Sequence, residues 1–222
     1  MSIFNRIAEI KEERRWKNRH LKEGTEWITK GYWDIRDLPS RHFLLEKIRH
    51  FYPIASILEV GCNCGPNLYV INKRCPWLEI RGIDINSAAV KIGNDLFAKK
   101  SNVELSVGKA DDLKFPDNSF DVVFTNAVLV HIGPTKTKTI IKEMLRVAKK
   151  GVLLMEWHQE GADPLGTRLG NSFINQCRWV RDYRELLKKF VREDQIHFYK
   201  IPPEVWPGDD WGKMGYVIEI TL

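Results

Sequence analysis

One short segment holds residues whose types and spacing can do chemistry. The segment ILEVGCNCGPNL (57–68) puts Gly61 and Gly65 around a sharp turn that leaves an apolar run and enters an amphipathic one. Glycine at such a turn allows positive φ and lets a ligand approach the backbone closely. Asp84 ends the next apolar run, 19 residues after Gly65. An acid at that place can accept hydrogen bonds from two ribose hydroxyls. Loop and acid together form a nucleoside-binding constellation.

The charges say which nucleoside. A dinucleotide fingerprint, GxGxxG, needs a middle glycine so that a pyrophosphate can reach the helix N-terminus. Asn63 stands there, and no GxGxxG can be drawn. Glu59 precedes the loop by two residues. Its carboxylate is unfavourable beside a pyrophosphate and favourable beside a cation. S-adenosylmethionine carries a sulfonium and an ammonium and no phosphate, so it is the better ligand. No metal site is expected. The cysteines, Cys62, Cys64, Cys75 and Cys177, form no CxxC pair and no Cys/His zinc spacing. Cys62 and Cys64 read as small residues of a tight turn.

Further candidates stand after other apolar runs. His131 comes after FDVVFTN (120–126). Glu156 and Trp157 end GVLLMEW (151–157), and His158 is the next residue. His131, Glu156 and His158 are the candidates for catalysis, as bases or as residues that orient a substrate. The loop PPEVWPGDDWGKM adds Trp206, Asp209, Asp210 and Trp211, and the N-terminal part adds Tyr32 and Trp33. Trp33, Trp157, Trp206 and Trp211 can make an aromatic wall for a sugar, a ring or a cationic amine. Trp77 and Trp179 read as core.

These residues need a scaffold that brings strand ends together. The apolar runs ASILEV (55–60), LEIRGID (78–84), VELSV (103–107), FDVVFTN (120–126) and GVLLMEW (151–157) alternate with amphipathic stretches. Helices are expected near Pro66, after Asn86 or Ser87, and from Pro134, with another over 176–190. Two strand-like runs, QIHFYKI (195–201) and GYVIEITL (215–222), complete the series. Alternating strands and helices imply a parallel sheet covered on both faces, with ligands outside the carboxyl ends of the strands. Before this, residues 3–23 read as a helix with Ile3, Ile7 and Ile10 on one face. Ser40 reads as the cap of a helix carrying Leu44, Ile48 and Phe51. The expected organisation is a helical cap or lid over 1–52 and an α/β, Rossmann-like, doubly wound seven-stranded domain over 53–222.

The order of these motifs resembles the class I S-adenosylmethionine-dependent methyltransferases, over about 53–222. Glu59, Gly61 and Gly65 match the first motif, with Asn63 in place of its usual second glycine. Asp84 matches the acid after the second strand. GKADDLKFPDNSFDVVFTNAVLVHI (108–132) is similar to the third and fourth motifs, EMLRVAKKGVLLME (143–156) to the helix and strand after them, and GYVIEITL to an antiparallel seventh strand. The resemblance implies six parallel strands and an antiparallel last one. It implies that Gly61, Cys62, Asn63 and Gly65 shape the pocket for the methionine part of S-adenosylmethionine, with Glu59 at its ammonium end. Asp84 would take the ribose hydroxyls, with Ile85 next to it. Ala110 and Asp111 would meet adenine, and Asn126 would lie beside the methyl group. Lys109 departs from the acidic or amide side chain common at its position, which leaves adenine to backbone groups or to Asp111. Tyr32 and Trp33 would close over the methionine end. The product would be S-adenosylhomocysteine.

Composition sets the remaining bounds. The chain has 222 residues, 43% hydrophobic and 29% charged, a globular average. Its net charge of +6 is spread among acids, so neither nucleic acid nor an anionic membrane is demanded as a partner. No run of 18 apolar residues exists, and the N-terminus is too short in apolar residues and too acidic for a signal peptide. A cytoplasmic location is the default expectation. The reading is methyl transfer to a small molecule or a glycan intermediate. The alternatives are a class I enzyme acting on RNA or protein, a dinucleotide oxidoreductase, and a binding module without turnover. TNAV (125–128) stands where nucleic-acid amino-methylases carry (Asp/Asn)-Pro-Pro-aromatic, which speaks against that subgroup.

Overall fold

The computed structural model describes residues 3–169, 178–206 and 208–222. The described strands are β1 (Ser56–Val60), β2 (Glu79–Asp84), β3 (Val103–Val107), β4 (Phe120–Asn126), β5 (Ala148–Trp157), β6 (Thr167–Leu169), β7 (Arg178–Val180), β8 (Ile196–Lys200) and β9 (Gly215–Thr221). The helices are α1 (Ile3–Glu23), α2 (Glu26–Ile28), α3 (Pro39–Ile48), α4 (Pro66–Arg74), α5 (Ser87–Leu96), α6 (Pro134–Val147), α7 (Tyr183–Leu187) and α8 (Asp209–Met214). A π-helical turn over 29–33 continues α2.

Seven strands form one sheet in the order β3-β2-β1-β4-β5-β9-β8, and β6 pairs with β7 apart from it. The pairs from β3 to β5 are parallel, and β9 runs antiparallel to both β5 and β8. Six strands therefore point one way and the last strand of the chain the other, as the sequence implies. The chain winds outward from β1 to β3, then restarts at β4 on the other side of β1. The point between β1 and β4 is where such a sheet opens a crevice for ligands.

Both faces are covered, which explains the unbroken apolar runs. Ile57, Val122, Phe124, Leu153 and Met155 pack in one layer with Leu44 and Ile48 of α3 and Leu68 and Ile71 of α4. Their sequence neighbours Leu58, Val123, Val152 and Leu154 pack in the other layer with Ile140 and Met144 of α6 and Leu186 of α7. Each of these fully buried aliphatic side chains contributes about 2 kcal/mol. A one-residue slip of any central strand would exchange its layers, so the register is strongly fixed.

Several local expectations are corrected. The helix over 3–23 forms, but Ile3, Ile7 and Ile10 are exposed at 70%, 45% and 48%. Its inward side carries acids and Trp16, because it lies on a polar rim rather than on an apolar layer. Pro39, not Ser40, opens α3; its missing N–H costs nothing at the first helical position. α3 then packs on the sheet itself, so the part of 1–52 that stands apart from the sheet ends before Pro39. The helix read over 176–190 is shorter: residues 178–180 are a strand, and the helix spans only Tyr183–Leu187. Asp182 caps it by accepting from the Glu185 N–H at 3.2 Å. Residues 176 and 177 lie outside the described residues. Trp77 is 64% exposed and is no core residue.

Candidate active site

The turn after β1 shows why an asparagine can stand in a glycine-rich loop. Gly61, Asn63 and Gly65 all have positive φ, at 83°, 51° and 82°. Asparagine tolerates the left-handed region better than most residues, because its short side chain bonds locally. The Asn63 Oδ1 accepts from the Cys64 N–H at 2.7 Å, and the Asn63 N–H is donated to Asp84 at 2.8 Å. Asp84 accepts a second backbone bond, from Asn86 at 2.8 Å. Asn86 in turn caps α5 through the N–H groups of Ala88 and Ala89. Asp84 thus joins the β1 and β2 turns into one rigid edge. Burial raises its carboxyl pKa, against the pull of the Asn86 and Asn63 bonds. A Cβ on Gly61 would lie 2.4 Å from the Val128 Cγ2, so the close approach to the loop after β4 also demands glycine.

A cavity of about 450 Å³ opens at these strand ends. Eleven of the candidate residues line it: Tyr32, Glu59, Gly61, Cys62, Asn63, Asp84, Ile85, Ala110, Asp111, Asn126 and His131. Glu59 is fully buried. Its Oε1 accepts from Asn67 at 2.5 Å, and its Oε2 has no partner. Burial pushes its carboxyl up to about 8, opposed by the Asn67 bond and by the charge of Arg41. Asn67 also accepts from the Asn126 amide at 3.2 Å, which leaves the buried Asn126 Oδ1 unpartnered. Asp111 is engaged by Lys136 at 2.9 Å, and Lys136 reaches Glu13 of α1 at 2.8 Å.

Helix α1 forms the far wall through residues absent from the sequence reading. Glu13 and Trp16 line the cavity. Glu12, 4% exposed, accepts from the Trp16 indole at 3.0 Å and meets the His131 Nδ1 at 3.1 Å. Burial raises the Glu12 carboxyl, but the bond and charge of His131 outweigh it, so the net shift is downward. Burial lowers His131 more than Glu12 raises it. The pair is a carboxylate accepting from the Nδ1–H of a neutral imidazole, whose Nε2 is then left without a proton.

Four candidates stand outside the cavity wall. Gly65 turns the chain into α4 with its α-carbon toward Phe97 and Leu105. Trp33 packs on Tyr69 and Phe97, with ring centroids 5.3 Å and 5.5 Å away; the π-helical turn sends Tyr32 to the cavity and its neighbour into the core. Glu156 is buried and accepts from three successive N–H groups, those of Val128, Leu129 and Val130, at 3.0, 3.0 and 3.1 Å. It holds the turn that carries His131 and does not line the cavity. His158 accepts from the Tyr183 N–H at 3.1 Å and is packed against Phe198 and Tyr216. Its pKa is lowered by burial, and it has no access to the cavity. Of the aromatic wall, only Trp206 lines the cavity; Trp211 stacks behind it at 3.9 Å, and Trp157 stands behind Trp211. The sequence reading missed Arg181, which donates to the Leu129 and Ile132 carbonyls and to Thr137 and so clamps the same turn from its other side.

This edge, with Glu59 and Asp84 at neighbouring strand ends, resembles that of the class I S-adenosylmethionine-dependent methyltransferases. Residues 57–151 match a family described as a methyltransferase domain. Ajmaline N-methyltransferase from Rauvolfia serpentina is 32% identical over 103 residues, which is 45% of this chain and 34% of that one. 2-Methyl-6-phytyl-1,4-hydroquinone methyltransferase from a Synechocystis strain is 34% identical over 111 residues, 48% of this chain and 33% of its own length. The chain thus spans about a third of the length of these curated relatives. Phosphoethanolamine N-methyltransferase 1 from Haemonchus contortus, solved with phosphoethanolamine and S-adenosylhomocysteine, superposes with a TM-score of 0.69 at 14% identity. That match covers all of this chain and 50% of the other, and it shows the shared fold.

The cavity also fits the cofactor of this class. Glu59 and Asn126 line it and each keeps one buried oxygen without a partner, and buried acceptors without donors are costly unless a ligand supplies them. Among the described residues no cluster suited to a metal ion occurs, and no helix is long and apolar enough to cross a membrane.

Proposed function

We propose that this protein transfers a methyl group from S-adenosylmethionine to a small-molecule or glycan-intermediate acceptor. The observation that carries the reading is the unpartnered, buried Glu59 oxygen in a cavity that Asp84 also lines. One carboxylate suits a cation and the other a ribose, and nothing in the turn suits a pyrophosphate. When bound, S-adenosylmethionine supplies an electrophilic methyl group on a sulfonium. Glu59 and the Asn126 Oδ1 hold the ammonium, Asp84 holds the ribose hydroxyls, and Ala110 with Ile85 borders the adenine. Lys136 already occupies Asp111, so Asp111 serves as an anchor between α1 and the adenine side.

Residues 3–33 act as the lid. α1 is tied down by Glu12 to His131, by Glu13 to Lys136, and by Glu9 to the Thr135 N–H at 2.7 Å. A lid excludes water, and alignment of the reactants supplies up to roughly 7–11 kcal/mol of the barrier reduction. The unprotonated His131 nitrogen can take a proton from an acceptor that still carries one, such as a hydroxyl. Trp16, Tyr32, Ile35, Leu38 and Trp206 give the acceptor an aromatic and apolar surround. The relatives' names, with an alkaloid and a hydroquinone in them, support a small-molecule acceptor. Calorimetric titration tests the reading: S-adenosylhomocysteine binds and NAD does not. Binding of NAD in preference would replace it with a dinucleotide enzyme.

A further inference from the structure

We propose that the outer face of α1 docks on an anionic lipid bilayer, with the helix lying along the membrane surface. Ile3, Ile7, Ile10 and Leu21 are exposed, the last at 73%. Arg6, Lys11, Arg14, Lys17 and Lys22 are exposed beside them. At about 100° of rotation per residue, these side chains share an arc of roughly 160°. The acids of α1 lie outside that arc, and each already has a partner. Glu9 accepts from the Thr135 N–H, Glu12 meets His131, Glu13 meets Lys136, and Glu23 meets Arg19 at 2.6 Å. None of the outward cations is held by an acid among the described residues. The outer face is thus aliphatic and cationic, with every acid turned away from it.

This composition selects one occupant. A bilayer surface takes both kinds of side chain at once: aliphatic groups enter the boundary between headgroups and acyl chains, and Lys and Arg meet anionic headgroups. Single-stranded nucleic acid binds through cations and stacked aromatic rings, and Ile3, Ile7, Ile10 and Leu21 offer a base nothing to stack on. A second copy laid on this face by two-fold symmetry would bring like charges together. No described helix is long and apolar enough to cross a membrane, so α1 lies on the bilayer and does not span it. Glu13 and Trp16, on the opposite side of α1, line the cavity, so the docked element is the lid itself.

Flotation of the full chain with lipid vesicles tests the docking. The unaltered protein floats with vesicles of phosphatidylcholine and phosphatidylglycerol in equal parts, stays behind with phosphatidylcholine alone, and is released as salt rises. Lys11→Gln with Lys17→Gln lowers the partition coefficient about thirtyfold, at roughly fivefold for each charge. Ile7→Gln with Ile10→Gln lowers it about tenfold at unchanged charge. Both pairs are exposed, and an unchanged Tm shows that each variant is folded. If a variant does not fold, the comparison of the two vesicle types with the unaltered protein still decides. Equal flotation with both vesicle types, or with neither, overturns the proposal. A loss confined to the lysine pair also overturns it, and retention of polyuridine RNA then marks nucleic acid as the occupant. A dimer that Ile7→Gln with Ile10→Gln dissociates, in a protein that does not float, marks a second copy and overturns it equally. The docking does not depend on what the cavity holds, so its failure leaves the S-adenosylhomocysteine titration to decide the cofactor reading by itself.

Discussion

If Glu59 holds the ammonium as proposed, cofactor binding releases a proton. In the ligand-free protein, burial pushes its carboxyl from an ordinary 4.5 up to about 8, with the opposing charge of Arg41 already included. At pH 7 roughly one molecule in ten carries the charged form, since each pH unit below the pKa costs about 1.4 kcal/mol. A ligand ammonium held by this carboxylate requires the charged form, so binding at pH 7 expels about 0.9 proton from Glu59. Affinity for S-adenosylhomocysteine then rises as pH rises from 6 toward about 8. The ligand-free protein behaves in the opposite sense: its folded-state pKa lies above the unfolded one, so Glu59 lowers stability as pH rises from 4.5 through about 8. The assay is titration calorimetry at pH 7 in phosphate and in Tris, whose ionisation heats differ. The apparent enthalpy difference gives the number of protons. Glu59→Gln is expected to remove most of one proton from that number while Asp84 stays in place. A proton count unchanged by Glu59→Gln would refute the argument.

Other perturbations test the remaining parts. Asp84→Asn should weaken S-adenosylhomocysteine by about 1–3 kcal/mol in the same calorimetric assay, since charge-assisted bonds to the ribose are lost; equal affinity would remove Asp84 from the site. Gly61→Val should abolish that binding in a chain still folded by circular dichroism, because the new side chain meets Val128 at a position with φ of 83°. Glu156→Ala strips three N–H groups of their acceptor, so a loss of about 3 kcal/mol and a fall in Tm of roughly 6–12 °C are expected; a Tm within about 2 °C would mean that the turn does not depend on it. Amide exchange across 24–38 should slow when S-adenosylhomocysteine binds, and exchange insensitive to ligand would make residues 3–33 a static cover.

The centre of the sheet was legible because β1, β4 and most of β5 are covered on both faces and leave near-continuous apolar runs, whereas β3 and β8 are half exposed and were read from their place in the alternation. The turn after β1 was legible for a related reason: positive φ restricts residue type, so Gly61, Asn63 and Gly65 announce their backbone. Glu156 was misread because an acid at a strand end looks the same whether it faces a substrate or three backbone N–H groups. Trp33 was misread because a π-helical turn rotates its neighbour Tyr32 into the cavity. Arg41 and Arg181 were missed because burial of an arginine leaves no mark in sequence; both sit among charged residues that read as surface. Helix α1 defeated periodicity outright, since its isoleucines face water and its acids make the contacts.

The place of β9 carries a consequence for synthesis. Apart from Trp206, every described residue lining the cavity lies between 13 and 140. β8 reaches the sheet only through β9, which is made after it. While a ribosome is still extending the chain, the cofactor crevice has nearly all its parts, yet the free edge of β5 has no neighbour. An open apolar edge invites pairing with another chain. On the proposed reading, the nascent protein would pass through an interval in which most of the nucleoside crevice exists while the edge of β5 is still open to pairing. A ligand captured in that interval would hold the first five strands together until the closing strand arrives.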